Sequence, residues 1–262
     1  MATLEENFAS LDAALKADEH DKALEICDQI LAAAPGDADA LHVKVTSLIE
    51  LGKCSEALQV IESTAASESC AFEKAYCLYS LYREAEALKL LMPNGAEPTD
   101  SSRELQLAGQ IFYRQGDAAK AADLFQKSEA VGGASSELST NILAALVSAG
   151  KGEEALTYAQ QTGSGADASS SGGGGDGDGT QFELFYNHAC AAIAVGQLGL
   201  AKRLLGRAIE VCREDCADLA EEEIEVRRSR SGHAHAHRTP TTHTPRQKKQ
   251  PHDNLCGLHE RG

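Results

Sequence analysis

Gly116-Asp117-Ala118-Ala119-Lys120-Ala121-Ala122-Asp123-Leu124-Phe125 sets a glycine five residues ahead of an alanine, and the pattern recurs along the chain. The recurring alanines are Ala23, Ala57, Ala87, Ala121, Ala155 and Ala201, at successive intervals of 34, 30, 34, 34 and 46. Gly52, Gly116, Gly150 and Gly196 precede four of them by the same five residues. On either side of each turn, apolar residues fall at i, i+3, i+4 and i+7, the spacing of a helix with one covered face. In the second unit these are Leu41, Val45, Leu48 and Ile49 before Gly52, then Ala57, Leu58 and Ile61 after it. The glycine supplies the left-handed conformation that ends the first helix. The alanine suits the closest approach of two helices, where only a methyl group fits.

A 34-residue period of paired helices with this turn is that of tetratricopeptide repeats (TPRs), whose hairpins stack into a surface for gripping another chain. The expected fold is all-α, a TPR-type α-solenoid of about six helical hairpins with a disordered C-terminal tail. Residues 1–162 are assigned to hairpins one to five and 181–225 to the sixth hairpin and the start of a next helix. Between them, 163–180 is a Gly/Ser-rich insert that contains Ser169-Ser170-Ser171-Gly172-Gly173-Gly174-Gly175. It has no apolar residue larger than alanine, so it is expected to be a flexible loop, and it accounts for the 46-residue interval. Residues 226–262 lose all helical periodicity and are expected to be a disordered, basic, His-rich tail.

Charge divides the chain at the same place. Residues 1–225 carry 16 basic and 38 acidic groups, a net −22, whereas 226–262 carry 8 basic and 2 acidic groups, a net +6. The acidic body argues against direct binding of a nucleic-acid backbone by the helices and suits a basic partner segment. No stretch approaches 18 apolar residues, so no membrane insertion is expected. The eight cysteines lack a disulfide-framework spacing and read as reduced, mostly buried thiols of a cytoplasmic protein.

Candidates for chemistry are few. The Gly run follows no strand and precedes no Lys-Ser/Thr pair, so no phosphate-cradling loop is present, and no catalytic residues are assigned. No metal or cofactor site is expected either. His233, His235 and His237 alternate in the tail, where no surrounding shell can orient them, and Cys212-x3-Cys216 lacks the second pair of a zinc site.

Four strings carry more than periodicity. They are Ala40-Leu41-His42-Val43-Lys44-Val45, Phe72-Glu73-Lys74-Ala75-Tyr76-Cys77-Leu78-Tyr79, Phe185-Tyr186-Asn187-His188-Ala189-Cys190-Ala191 and Ala208-Ile209-Glu210-Val211-Cys212-Arg213. With them, residues 8–225 resemble the N-terminal TPR domain of the family of the signal recognition particle's seventy-two-kilodalton subunit. The resemblance implies a non-enzymatic scaffold subunit of the cytoplasmic particle, acting in co-translational protein targeting to the endoplasmic reticulum. It also implies that the repeats hold a segment of the particle's sixty-eight-kilodalton subunit. After Val226 the resemblance stops, and the family's Trp-containing RNA-binding motif is absent from a chain that has no Trp. A truncated or alternatively spliced product, or an error in the gene model, would account for this ending. Contact with the particle RNA is therefore expected only through the partner.

The concave face of a TPR array is lined by the first helix of each hairpin (helix A). Counting back from the recurring alanine puts His42, Thr46, Phe72, Tyr76, Tyr79, Gln106, Gln110, Tyr113, Arg114, Thr140, Tyr186 and Cys190 there. Tyr and Arg serve as interface anchors because they combine large area with a polar handle. Asn141 and Asn187 hold equivalent positions, where an amide can pair with the backbone of a bound peptide or make a structural hydrogen bond. A second reading is a co-chaperone-like TPR adaptor for another peptide. Its Lys/Asn clamp is not supplied by Glu5, Phe8, Asp12, His42 and Thr46.

Overall fold

The computed structural model describes residues 3–64, 69–162 and 181–213, and these are helical with no strand among them. The expected insert, most of the segment after the sixth hairpin and the tail lie outside the described residues. Paired helices follow in order: α1 (Leu4–Lys16) with α2 (His20–Ala33), α3 (Ala38–Glu50) with α4 (Cys54–Ser63), and α5 (Ala71–Ser80) with α6 (Glu84–Leu91). Then come α7 (Ser102–Arg114) with α8 (Ala118–Gly132), α9 (Ser136–Ser148) with α10 (Gly152–Gln161), and α11 (Gln181–Ala194) with α12, residues 198–213. This is the all-α, TPR-type α-solenoid read from the period.

Each hairpin turns by the same pair of backbone bonds. One residue after the left-handed position, an N–H reaches back five residues: Lys53 to the Leu48 carbonyl at 2.8 Å, Asp117 to Phe112 at 2.9 Å, Lys151 to Leu146 at 2.9 Å. Glu19 to Ala14, Arg83 to Leu78 and Gln197 to Ala192 repeat it at 2.8–2.9 Å. The left-handed residue itself donates three residues back, as from Gly116 to Tyr113 at 2.9 Å. Together these two bonds form the Schellman closure of a helix C-terminus. Glycine fills the left-handed position in four hairpins, but Asp18 (φ 57°) and Tyr82 (φ 59°) fill it in the first and third. The turn is thus kept even where an L side chain is strained by it.

Helix starts are fixed by side chains. Thr3 and Glu6 form a reciprocal capping box at α1, with bonds of 3.2 and 2.8 Å. Asp37, Asp117 and Ser135 cap α3, α8 and α9 by accepting a backbone N–H. The 30-residue interval holds two short helices, with α4 at 10 residues against 14 in α2. Helix α5 has 10 residues where α1, α3, α7 and α9 have 13.

The chain divides into two compact units, Met1–Ile111 and Phe112–Gly262. In the first, Leu11, Ala14, Ala23, Ile26, Cys27, Ile30 and Ala40 form a core where α1, α2 and α3 meet, flanked by Phe8, Leu31 and Val43. In the second, Phe125, Leu138, Ile142, Leu143, Leu146, Leu156, Phe185 and Leu204 run through one continuous core from α8 to α12. Leu204 and Val211 belong to that core, while Ile209 is 52% exposed. Gly152 lets α10 approach α11 closely: a Cβ there would stand 2.9 Å from the Ala194 Cβ. A polar brace also crosses the second unit, with the Tyr158 hydroxyl donating to Glu129 Oε1 at 2.6 Å and lying 3.2 Å from Ser139 Oγ. Burial and the Glu129 carboxylate push the Tyr158 phenol above its ordinary range.

Five of the six recurring alanines are fully buried and Ala201 is 3% exposed, in keeping with a position that admits only a methyl group. Ala121→Leu is expected to lower stability by about 1–3 kcal/mol through overpacking, measured by urea unfolding. Tyr82→Gly is expected to act in the opposite direction. Relief of left-handed strain should raise stability by about 1 kcal/mol, seen as a higher unfolding midpoint.

Candidate protein-binding surface

The A helices of the first unit carry a mixed face. His42 on α3 is exposed, and Thr46 one turn on is half-buried, its hydroxyl bonded to the His42 and Val43 carbonyls of its own helix at 3.1 and 3.0 Å. On α5, Phe72 and Tyr76 are half-buried. The Arg103 guanidinium of α7 lies over the Phe72 ring, 3.9 Å from its centroid. The same guanidinium donates to Glu73 Oε1 at 3.1 Å, so a cation–π contact and an ion pair hold one planar group. Gln106 and Gln110 on α7 are half-buried.

In the second unit, Tyr113 and Arg114 are half-buried, and the Tyr113 hydroxyl lies 2.9 Å from Ser148 Oγ on α9. Tyr186 on α11 is 41% exposed, and Cys190 one turn further is half-buried, its thiol pushed up by burial.

Four expected surface residues are instead packed inside. Tyr79 (5% exposed), Thr140 (2%), Asn141 (3%) and Asn187 (5%) fill the space between helices. Counting in steps from the alanine gave the helix but not its rotation. On α11 an error of one residue separates exposed Tyr186 from buried Asn187, because adjacent helical residues point about 100° apart. Asn187 Nδ2 donates to the Thr140 carbonyl of α9 at 3.3 Å, so its amide pairs with a backbone, but with the protein's own. Thr140 in turn bonds the Ser136 carbonyl at 2.9 Å. The structural reading of the asparagine is the one the geometry takes.

Neither repeat spacing nor composition marks Arg103 and Cys70, and Glu73 stands out only as part of the Phe72–Tyr79 string. The Cys70 sulfur stands 3.6 Å from His42 Nδ1, and the His42, Cys70 and Glu73 donor atoms lie within 4.8 Å of one another. No period links these residues, which is why a repeat count misses them. The six described cysteines are free thiols. Burial pushes Cys27 up to about 11. The hydrogen bond between Cys54 and Cys77 holds the Cys54 thiol below its ordinary range and pushes the Cys77 thiol up.

No family model matches the chain. The chain is 34% identical over 206 residues to the human signal recognition particle subunit SRP72, covering 75% of this chain and 27% of that protein. It is 28% identical over 226 residues to SRP72 of Dictyostelium discoideum, covering 85% of this chain and 31% of that protein. This is an SRP72-like TPR domain. It spans less than a third of the length of either relative. Among solved structures, the C-terminal part of a TPR repeat-containing protein from Cytophaga hutchinsonii matches at TM-score 0.58 and 16% identity, over 83% of this chain and 84% of that one. That likeness shows the fold of the SRP72-like domain. Among the described residues no helix is long and apolar enough to cross a membrane.

The buried amide gives a test of its role. Asn187→Ala is expected to cost about 1–2 kcal/mol of stability in urea unfolding, because an interhelical hydrogen bond inside the second unit is lost. A residue serving a bound peptide would leave stability unchanged.

Proposed function

We propose that the SRP72-like domain is a scaffold of the cytoplasmic signal recognition particle, binding an extended segment of the particle's sixty-eight-kilodalton subunit along the concave, helix-A side. In this role it serves co-translational targeting to the endoplasmic reticulum. The observation that carries the reading is the set of partly exposed aromatic and polar side chains on the A helices of a domain similar to SRP72. They are His42, Phe72, Tyr76, Gln106 and Gln110 in the first unit, and Tyr113, Arg114 and Tyr186 in the second. Large rings with a hydroxyl at one end combine apolar burial with a hydrogen bond at small entropic cost, which is what an extended ligand requires of its anchors. Thr46 belongs to the same face, with its hydroxyl already bonded within α3.

Charge complements this reading. The body is strongly acidic, which favours a partner segment that is itself basic. Contact with the particle RNA is assigned to the partner rather than to the helices. No catalytic function is indicated by the relatives, and binding is the whole of the proposed activity.

Each of Tyr76→Ala, Tyr113→Ala and Tyr186→Ala is expected to weaken binding of that partner subunit by about 1–2 kcal/mol, five- to thirtyfold in Kd by titration calorimetry. Circular dichroism should show the helices intact in each. A triple variant that is folded and binds as tightly as the parent removes the proposal.

A further inference from the structure

We propose that His42, Cys70 and Glu73 form a zinc-binding site that clips α3 to α5. The inference does not depend on which protein the A helices hold. Cys70 is the N-cap residue of α5 and Glu73 its third helical residue, a spacing that turns both side chains toward the same point at the helix start. His42 reaches that point from α3, which packs beside α5. The result joins a sulfur, an imidazole nitrogen and a carboxylate oxygen, all within 4.8 Å of one another.

The distances decide which cation fits. Zinc holds sulfur at about 2.3 Å and nitrogen at about 2.0–2.1 Å, and a tetrahedral angle between them separates the two donors by about 3.6 Å. The Cys70 sulfur and His42 Nδ1 are 3.6 Å apart. In the metal-free chain the two share a hydrogen bond whose length equals that edge, so an ion can replace the proton between them with little movement of either donor. Thiolate with imidazole selects a borderline-soft ion such as zinc over magnesium or calcium, which require oxygen donors.

Burial and exposure divide the roles among the ligands. Cys70 is fully buried and Glu73 is 8% exposed, whereas His42 is exposed. The open His42 side gives a path for the ion and room for water as a fourth ligand. Glu73 already accepts from Arg103 at 3.1 Å. A carboxylate has two oxygens and about four acceptor sites, so the guanidinium and an ion can share it. Arg103 then orients the carboxylate from behind, as outer partners of metal ligands do. A thiolate and a carboxylate set two negative charges against the divalent ion and the Arg103 guanidinium, which leaves the loaded cluster at +1, and the Cys70 thiol proton leaves to solvent as the bond to metal forms.

Cobalt titration of the full chain, reduced with a phosphine, tests the site because thiolate ligation to cobalt gives an intense near-ultraviolet band. One equivalent is expected to produce the band and zinc to abolish it. Nitrogen-only binding by the tail histidines gives no such band. The band should vanish in Cys70→Ser, and His42→Ala should weaken cobalt affinity at least tenfold, as should Glu73→Gln. His42 is exposed, so its variant remains informative even if Cys70→Ser unfolds. Zinc should also raise the unfolding midpoint of the parent and not that of His42→Ala. The proposal is overturned if no band forms, if the band survives in Cys70→Ser, or if His42→Ala binds as tightly as the parent.

Discussion

Every described hairpin of this protein depends on one left-handed residue and the two backbone bonds that close around it. The N–H that reaches back five residues ends helix A and sets where helix B begins. Five residues after the left-handed position, the recurring alanine donates to the carbonyl four residues before it, as Ala121 does to Asp117 at 3.0 Å. Turn and close contact are thus one device at fixed spacing. If the left-handed position moved by one residue, helix B would rotate by about 100° and carry its buried alanine to the surface.

What was readable in the sequence follows from that coupling. Glycine at Gly52, Gly116, Gly150 and Gly196 advertises the turn, and the alanines advertise the contact. Asp18 and Tyr82 hold the same left-handed conformation without the residue type that signals it, and only their distance from Ala23 and Ala87 betrays them. Packing between hairpins imposes the fold on those two residues against local preference. The short α4 and α5 left their trace as the 30-residue interval.

The binding face was less legible, for a physical reason. Which residue of a helix faces outward depends on its rotation about its own axis, and that is fixed by the neighbours on both sides. Tyr186 and Asn187 are chemically equal candidates for a surface, yet the Thr140 carbonyl takes the asparagine and leaves the tyrosine out. The His42, Cys70 and Glu73 cluster was invisible for a different reason. Cys70 and Glu73 are local to one helix start, but His42 is 28 residues earlier than Cys70 and joins them only through packing.

The repeated turn also governs how the protein comes into being. Each closure joins residues five apart, and each hairpin is completed within a single repeat period. A ribosome adding about 5–20 residues per second takes about 2–7 s to make that length. Local helical contacts form in microseconds to milliseconds, so folding is never the slow step. Within each unit, a new hairpin can dock on its predecessor while the next is still being made. The growing chain then exposes one apolar edge at a time, and the length of nascent protein open to aggregation stays near a single repeat however many repeats follow.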